Sequence, residues 1–267
     1  QQQLVEIGYQ GKKLEELESL SATEKANMLF IVQDPYTSYY DAKVVRDFVA
    51  LTQKLGFEPI ILPFKPNGKA MHIKGFLTRF SKTAKTQAEF LNRVAKLNVP
   101  LVGVDPAIVL SYRDEYKEAL GDSRGDFHVL TAHEWLTNQL ESKALQSAVK
   151  NIAKSDRTFE WHLFPHCTES TFMPNSPKEW QHIFAQFGQT LKVEKVGCCG
   201  MAGVFGHEVQ NQTMSKDIYN VSWGKKLQGK DPNYCLATGY SCRSQVKRYE
   251  KAILKHPVQA LLEVLNN

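Results

Sequence analysis

Short, unbroken apolar runs alternate along the chain with longer stretches in which apolar residues return every three or four positions. Met28-Leu29-Phe30-Ile31-Val32 is a run of strand length, ended by Asp34-Pro35. Behind it, Val44, Val45, Phe48, Leu51 and Leu55 fall on one face of a helix that Asp41 opens and Gly56 closes. Pro59-Ile60-Ile61-Leu62-Pro63 predicts a second buried strand, residues 87–97 a helix and residues 99–104 a third strand. Asp105-Pro106 opens a helix over 107–120, with proline in the first turn, where its missing N–H costs nothing. A short strand at Phe127-His128-Val129-Leu130 and a helix over 133–152 complete this half.

The same plan then returns. Trp161-His162-Leu163-Phe164 predicts a strand, 177–187 a helix stopped at Gly188, 191–196 a strand, 209–226 a helix, 234–238 a strand and 241–254 a helix. Asp34 falls in step with Cys167, Asn67 with Cys199 and Ile108 with Cys242, at intervals of 33 and 41 residues in one half and 32 and 43 in the other. Apolar strands alternating with helices predict a parallel sheet covered on both faces. The expected fold is therefore α/β: two similar tandem halves, each a parallel sheet flanked by helices. Residues 1–26 are polar and helix-prone and read as a connecting segment from an upstream domain, followed by halves over 27–154 and 155–267. The division falls near Lys154-Ser155-Asp156.

Composition narrows the class. In 267 residues, 42% hydrophobic and 23% charged content is that of an ordinary globular protein. No apolar run approaches the roughly 20 residues that span a bilayer. The net charge of +5 is mild and dispersed. Its densest patch, Arg243, Lys247, Arg248, Lys251 and Lys255, is expected to form a solvated helix face, and no nucleic-acid partner is expected. The N-terminus, Gln1-Gln2-Gln3-Leu4-Val5, has no initiator Met and no signal-peptide layout, so a piece of a longer polypeptide is expected. Five cysteines, all beyond residue 160, fit a disulfide framework badly and a reducing cytoplasm with thiolate ligands well.

Four of those thiols fall just after predicted strands: Cys167 after the first of the second half, Cys198 and Cys199 after the second, Cys242 after the third. In a parallel α/β sheet ligands gather beyond the C-terminal strand ends, so these distant positions converge. Cys199 and Cys242 also precede helices, whose exposed amides favour thiolate. Gly197 and Gly200 permit a tight turn around the vicinal pair. Soft thiolates select an iron–sulfur cluster, zinc or copper(I). Three alternatives stay open: tetrahedral zinc with His166 or His207 replacing a thiolate; a strained, labile Cys198–Cys199 disulfide; and plain core packing, which is the reading for Cys235 inside its strand. His166 and His207 are otherwise candidate additional ligands or hydrogen-bond donors behind the thiolates. There is no Gly-rich phosphate loop, no Ser/His/Asp order and no compact ferredoxin-type cysteine run.

These residues bring a resemblance with them. His166-Cys167, Gly197-Cys198-Cys199-Gly200-Met201-Ala202-Gly203-Val204-Phe205-Gly206 and Ala237-Thr238-Gly239-Tyr240-Ser241-Cys242-Arg243-Ser244-Gln245 resemble the cysteine-rich CCG-domain family. That family includes the cysteine-rich subunit of heterodisulfide reductase, the iron–sulfur subunits of glycolate oxidase and anaerobic glycerol-3-phosphate dehydrogenase, and the C-terminal part of large FAD-linked D-2-hydroxyacid dehydrogenases. The Gly-Tyr-Ser-Cys-Arg-Ser-Gln form is similar to the single-chain flavoenzymes of the D-lactate or D-2-hydroxyglutarate type. The resemblance covers nearly the whole chain from residue 28 as a tandem pair, and His256-Pro257-Val258-Gln259-Ala260-Leu261-Leu262 is similar to the close of those chains. In the first half Pro66-Asn67-Gly68 stands where Cys-Cys-Gly would be, so that repeat is expected to have lost its ligands. Where the fuller motif ends in Cys-x-x-Cys, this chain has Gly239-Tyr240-Ser241-Cys242, which leaves four thiolates with Cys235 as a distant substitute.

The resemblance implies an electron-transfer module of an oxidoreductase, holding an iron–sulfur cluster (4Fe–4S) on Cys167, Cys198, Cys199 and Cys242. FAD and a ferredoxin-type cluster would lie in upstream domains of the same polypeptide, and a quinone or electron carrier would be the acceptor. The alternative is a zinc-binding or metal-free docking domain. The implied location is cytoplasmic, at most peripheral at the inner face of the membrane.

Overall fold

The first long apolar run becomes β1 (Met28–Ile31), every residue of which is buried, as a central strand covered on both faces requires. In the computed structural model it pairs in parallel with β2 (Glu58–Ile61) on one side and β3 (Leu101–Gly103) on the other. β4 (Val129–Thr131) pairs in parallel with β3, giving the order β2-β1-β3-β4. The structure describes residues 2–9, 11–150 and 159–266. The chain forms two units, Gln1–Ala148 and Val149–Asn267. The division expected at 154–156, and the end of the helix expected to reach Ile152, lie outside the described residues.

Helices cover the first sheet. Ala42–Lys54 packs Val44, Val45, Phe48, Val49 and Leu51 inward, following its 3.6-residue apolar period. The helix expected over 87–97 is far longer, Leu77–Ala95, because Phe80 and Ala84 extend the buried stripe of Ala88, Leu91 and Val94 backwards. The helix expected over 107–120 is broken at Asp114 into Pro106–Arg113 and Glu115–Leu120. Ala132–Gln139 and Lys143–Lys150 replace the single helix expected from 133. The expected connecting segment is tied to this unit. Leu17 lies in its core, and the Tyr9 hydroxyl accepts a hydrogen bond from the Ile61 amide at 2.8 Å, on the open edge of β2.

In the second unit β5 (Glu160–Phe164) lies between β6 (Thr190–Val193) and β7 (Cys235–Ala237), all parallel. Around them run helices Cys167–Phe172, Ser176–Gln186, Gln212–Leu227, Tyr240–Tyr249 and Pro257–Asn266. The helix expected over 241–254 therefore stops five residues short. Lys251 turns left-handed at φ +56°, and the chain runs back along β7, where the Ala237 amide donates to the Lys255 carbonyl at 2.9 Å. Lys255 makes a parallel bridge to Leu236 on the free edge of β7, the place that β4 takes beside β3. The expected basic helix face is thus corrected. Lys251 and Lys255 have left the helix, and Arg243 is buried, with Nη1 donating to the Ala237 and Thr238 carbonyls.

Strand register fixes how the two units correspond. Ile31 pairs with Ile61 and Val102, and Leu163 pairs with Val193 and Leu236. Counting on from those pairs, Asn67 matches Cys199 and Ile108 matches Cys242, as the intervals suggest. Gly68 matches Gly200, and both are left-handed, at φ +77° and +82°. The match of Asp34 with Cys167 is off by one. Asp34 corresponds to His166, and each caps the helix that follows. Among the described residues no helix is long and apolar enough to cross a membrane.

Candidate functional site

Cys167 is the first residue of the helix that follows β5, Cys198 and Cys199 lie in the irregular segment beyond β6, and Cys242 sits in the first turn of the helix after β7. All four follow C-terminal strand ends. Chain order sends β6 to one side of β5 and β7 to the other, so the site lies where connections leave in opposite directions, the usual ligand position in such sheets.

The four thiols lie within reach of one another. Cys198 interacts with Cys167 and Cys199, Cys199 also with Cys242, and the charges of Cys242 and Cys198 both act on Cys167. Cys198 is the natural thiolate of the set. The hydrogen bonds from Cys167 and Cys199 hold its pKa far below that of an ordinary thiol, against the opposing effect of burial. The same contacts push the other two up: Cys167 through its bond to Cys198 and then burial, Cys199 through its bonds to Cys198 and Cys242 and then burial. All five cysteines are free thiols.

The backbone around the pair is built for negative charge. The Gly200 amide lies 3.3 Å from Cys198 Sγ, the Ala202 amide also points at Cys198, and the Met201 amide points at Cys199. Gly200, Ala202 and Gly203 are all left-handed, at φ +82°, +41° and +70°, which turns successive N–H groups inward as an anion-binding concavity. Behind the turn, the Ser215 hydroxyl donates to the Gly200 carbonyl at 2.7 Å. Gln245 Nε2 donates to the Cys199 carbonyl at 3.0 Å and to Ser215 Oγ at 2.8 Å. Gly197 has a different part. It is exposed and not left-handed, and a Cβ there would meet nothing nearer than 4.0 Å. It contributes backbone instead, its N–H donating to Ser222 Oγ at 2.8 Å and its carbonyl accepting from Trp223 Nε1 at 3.0 Å.

The remaining candidates separate. His166 joins the site: its ring caps the Cys167–Phe172 helix, Nδ1 accepting from the Thr168 amide at 3.2 Å, and Nε2 lies 3.2 Å from Ser241 Oγ. Its own amide donates to Thr238 Oγ1 at 2.9 Å. That hydroxyl donates to Glu169, a buried carboxylate that also accepts from the Ser176 hydroxyl. His207 is not brought to the thiols. It is exposed against Arg248, with Nδ1 3.1 Å from Nη2, and desolvation and that cation lower its pKa. Cys235 begins β7, at the end of the sheet away from the site. Burial raises its thiol to about 11, with Lys230, Glu194 and Asp231 as its charged neighbours. Sequence reasoning gave no role to Ser215, quoted Thr238, Ser241 and Gln245 only within a motif, and expected Arg243 on a solvated helix face. Small hydroxyl residues beside strand ends carry no periodic signal.

The donor set suits a thiolate-bound group: four sulfurs, three inward amides and a turn closed to side chains. Among the described residues, no three His, Cys, Asp or Glu side chains are arranged to hold a single metal ion.

No protein-family model matches the chain. It is 82% identical over 99% of its length to a D-2-hydroxyglutarate dehydrogenase of Haemophilus influenzae, and 57% identical over 99% to one of Escherichia coli. It spans 26% and 25% of those relatives, about a quarter of each. It is also 22% identical, over 86% of its length, to one subunit of the anaerobic glycerol-3-phosphate dehydrogenase of Escherichia coli, of which it spans 57%.

Proposed function

We propose that this chain is the electron-transfer module of a FAD-linked D-2-hydroxyacid dehydrogenase and that Cys167, Cys198, Cys199 and Cys242 hold an iron–sulfur cluster of the 4Fe–4S kind. The observation that carries the reading is the convergence of four interacting thiols from three strand ends, with backbone amides directed at Cys198 and Cys199. The high identity to proteins named D-2-hydroxyglutarate dehydrogenase supports the reaction class, with a D-2-hydroxyacid as substrate. The chain would be the C-terminal part of such a polypeptide. FAD and a ferredoxin-type cluster would then belong to upstream portions, and a quinone or soluble carrier would take the electrons, in the cytoplasm or at the inner membrane face.

When bound, such a cluster supplies one-electron transfer. The four thiolates are the groups that hold it. The amides of Gly200, Met201 and Ala202 offset the negative charge of the thiolates, and burial of Cys199 and Cys242 keeps water from that side. Gln245 and Ser215 fix the Cys199–Gly200 turn, so the sulfurs keep their places as charge changes.

The test is to purify the chain without oxygen and load it with ferrous iron and sulfide. About four irons and four sulfides per chain, with loss of uptake in Cys199→Ser, are expected. One zinc per chain without sulfide would replace this reading with a structural zinc domain. A colourless, iron-free product would overturn it.

A further inference from the structure

Resting on the cluster reading above, we infer that His166 and Ser241 form a hydrogen-bond relay onto the Cys242 sulfur, held in place by Gly239, and that His166 is therefore a positioning residue and not a ligand. The tautomer follows from one contact. The Thr168 amide can only donate, so His166 Nδ1, 3.2 Å away, accepts. A ring that accepts at Nδ1 carries its proton on Nε2. Nε2 is 3.2 Å from Ser241 Oγ and donates to it. With its oxygen accepting from the imidazole, the single hydroxyl proton of Ser241 is directed onward. Cys242 Sγ lies 4.0 Å from that oxygen, at the outer edge of a sulfur hydrogen bond. Both ring nitrogens are thus engaged, and neither offers a lone pair to a metal.

Gly239 is what admits the ring. A Cβ on residue 239 would fall 2.3 Å from His166 Cδ2 and 2.9 Å from Cγ. The ring is almost wholly buried and tied at both nitrogens, so it has nowhere to retreat. The first unit supplies a comparison within the same molecule. By strand register, Asp34 stands at the place of His166, Asp105 at that of Gly239, Ala107 at that of Ser241 and Ile108 at that of Cys242. Imidazole, glycine and hydroxyl are all missing from the half that has no thiols.

A donor aimed at a ligating sulfur withdraws electron density and stabilises the reduced, more negative state of a cluster, which raises its potential. Three variants separate this from a merely structural role. His166→Asn keeps an acceptor for the Thr168 amide but cannot reach Ser241. His166→Gln reaches Ser241 but gives up the cap. Ser241→Ala removes the middle of the relay and, as a helical alanine, leaves the helix intact. The measurements are iron and sulfide content, the paramagnetic spectrum of the reduced chain and the midpoint potential after anaerobic loading. We expect full loading throughout. In His166→Asn and Ser241→Ala the equilibrium should shift about tenfold towards the oxidised form, about 59 mV lower for one electron. In His166→Gln the potential should stay near that of the parent. Unchanged potentials in fully loaded His166→Asn and Ser241→Ala would overturn the relay and leave the cluster reading standing. Loss of iron from both His166 variants, with Ser241→Ala intact, would also overturn it by making the imidazole a ligand. Failure of the parent chain to take up iron would remove the cluster reading and the relay with it.

Discussion

A Cβ placed on Gly200 would lie 2.2 Å from the carbonyl oxygen of Ser215. The thiol-bearing turn therefore rests backbone to backbone on the helix Gln212–Leu227, and φ +82° at Gly200 adds a second reason for glycine. Gly200→Ala has to move main chain, because a helix carbonyl cannot swing aside as a side-chain tip does. A loss of about 3 kcal/mol or more is expected in denaturant unfolding. Gly197→Ala, at an exposed and unstrained position, should stay within about 0.5 kcal/mol of the parent. Equal effects of the two would contradict the packing described here.

Cys235 and Cys199 are both buried, yet they should answer differently to removal. Cys235→Ala trims a core side chain in β7 and is expected to cost about 1 kcal/mol while leaving iron uptake unchanged. Cys199→Ser should abolish full loading. Iron and sulfide assays on both variants, alongside unfolding curves, check the pair.

Asp34 carries a pH dependence of its own. It corresponds by register to His166, and its carboxyl is pushed up to about 6 by burial and then by the charge of Asp105, against the hydrogen bonds from Thr37 and Tyr36. The folded value lies above the unfolded one, so protonation favours folding. That stability is fully present below pH 4 and is lost as the pH rises through about 6. Asp34→Asn keeps a capping side chain and removes the like charge. It should raise stability by as much as about 3 kcal/mol at pH 8 and by little at pH 4. Thermal unfolding at the two pH values reads the difference, and an equal effect at both would count against the raised carboxyl of Asp34.

Glu169 is only 1% exposed and accepts from the hydroxyls of Ser176 and Thr238. Glu169→Ala strands both donors in the interior and is expected to cost about 2–4 kcal/mol. Glu169→Gln, which keeps an acceptor oxygen, should cost clearly less. Chemical denaturation of the two variants distinguishes them, and a Glu169→Ala variant as stable as the parent would show the network to be dispensable.

Much of the architecture was legible in advance, because strands buried on both faces must be apolar throughout and their covering helices must be apolar on one side. Those two periods set out the alternating plan, the doubling of the chain and the strand ends carrying thiols. They also located Asn67 and Ile108 opposite Cys199 and Cys242. The departures share a cause: each depends on a partner far away in the chain. Lys251 turns left-handed because Lys255 pairs with Leu236, and Arg243 is buried because the Ala237 and Thr238 carbonyls receive it. Asp34 falls opposite His166 instead of Cys167 because strand pairing, and not spacing, sets the register.

The sequence by itself determined which residues could carry soft-ligand chemistry and at which edge of a sheet they would stand, since both follow from residue type and local period. Only the tertiary structure decided which sulfurs meet, that Gly200 and not Gly197 must lack a side chain, that His207 and Cys235 stand apart, and that the His166 ring faces the Thr168 amide and Ser241. Each of these depends on distances of a few ångströms between segments tens of residues apart, and no local pattern encodes such a distance.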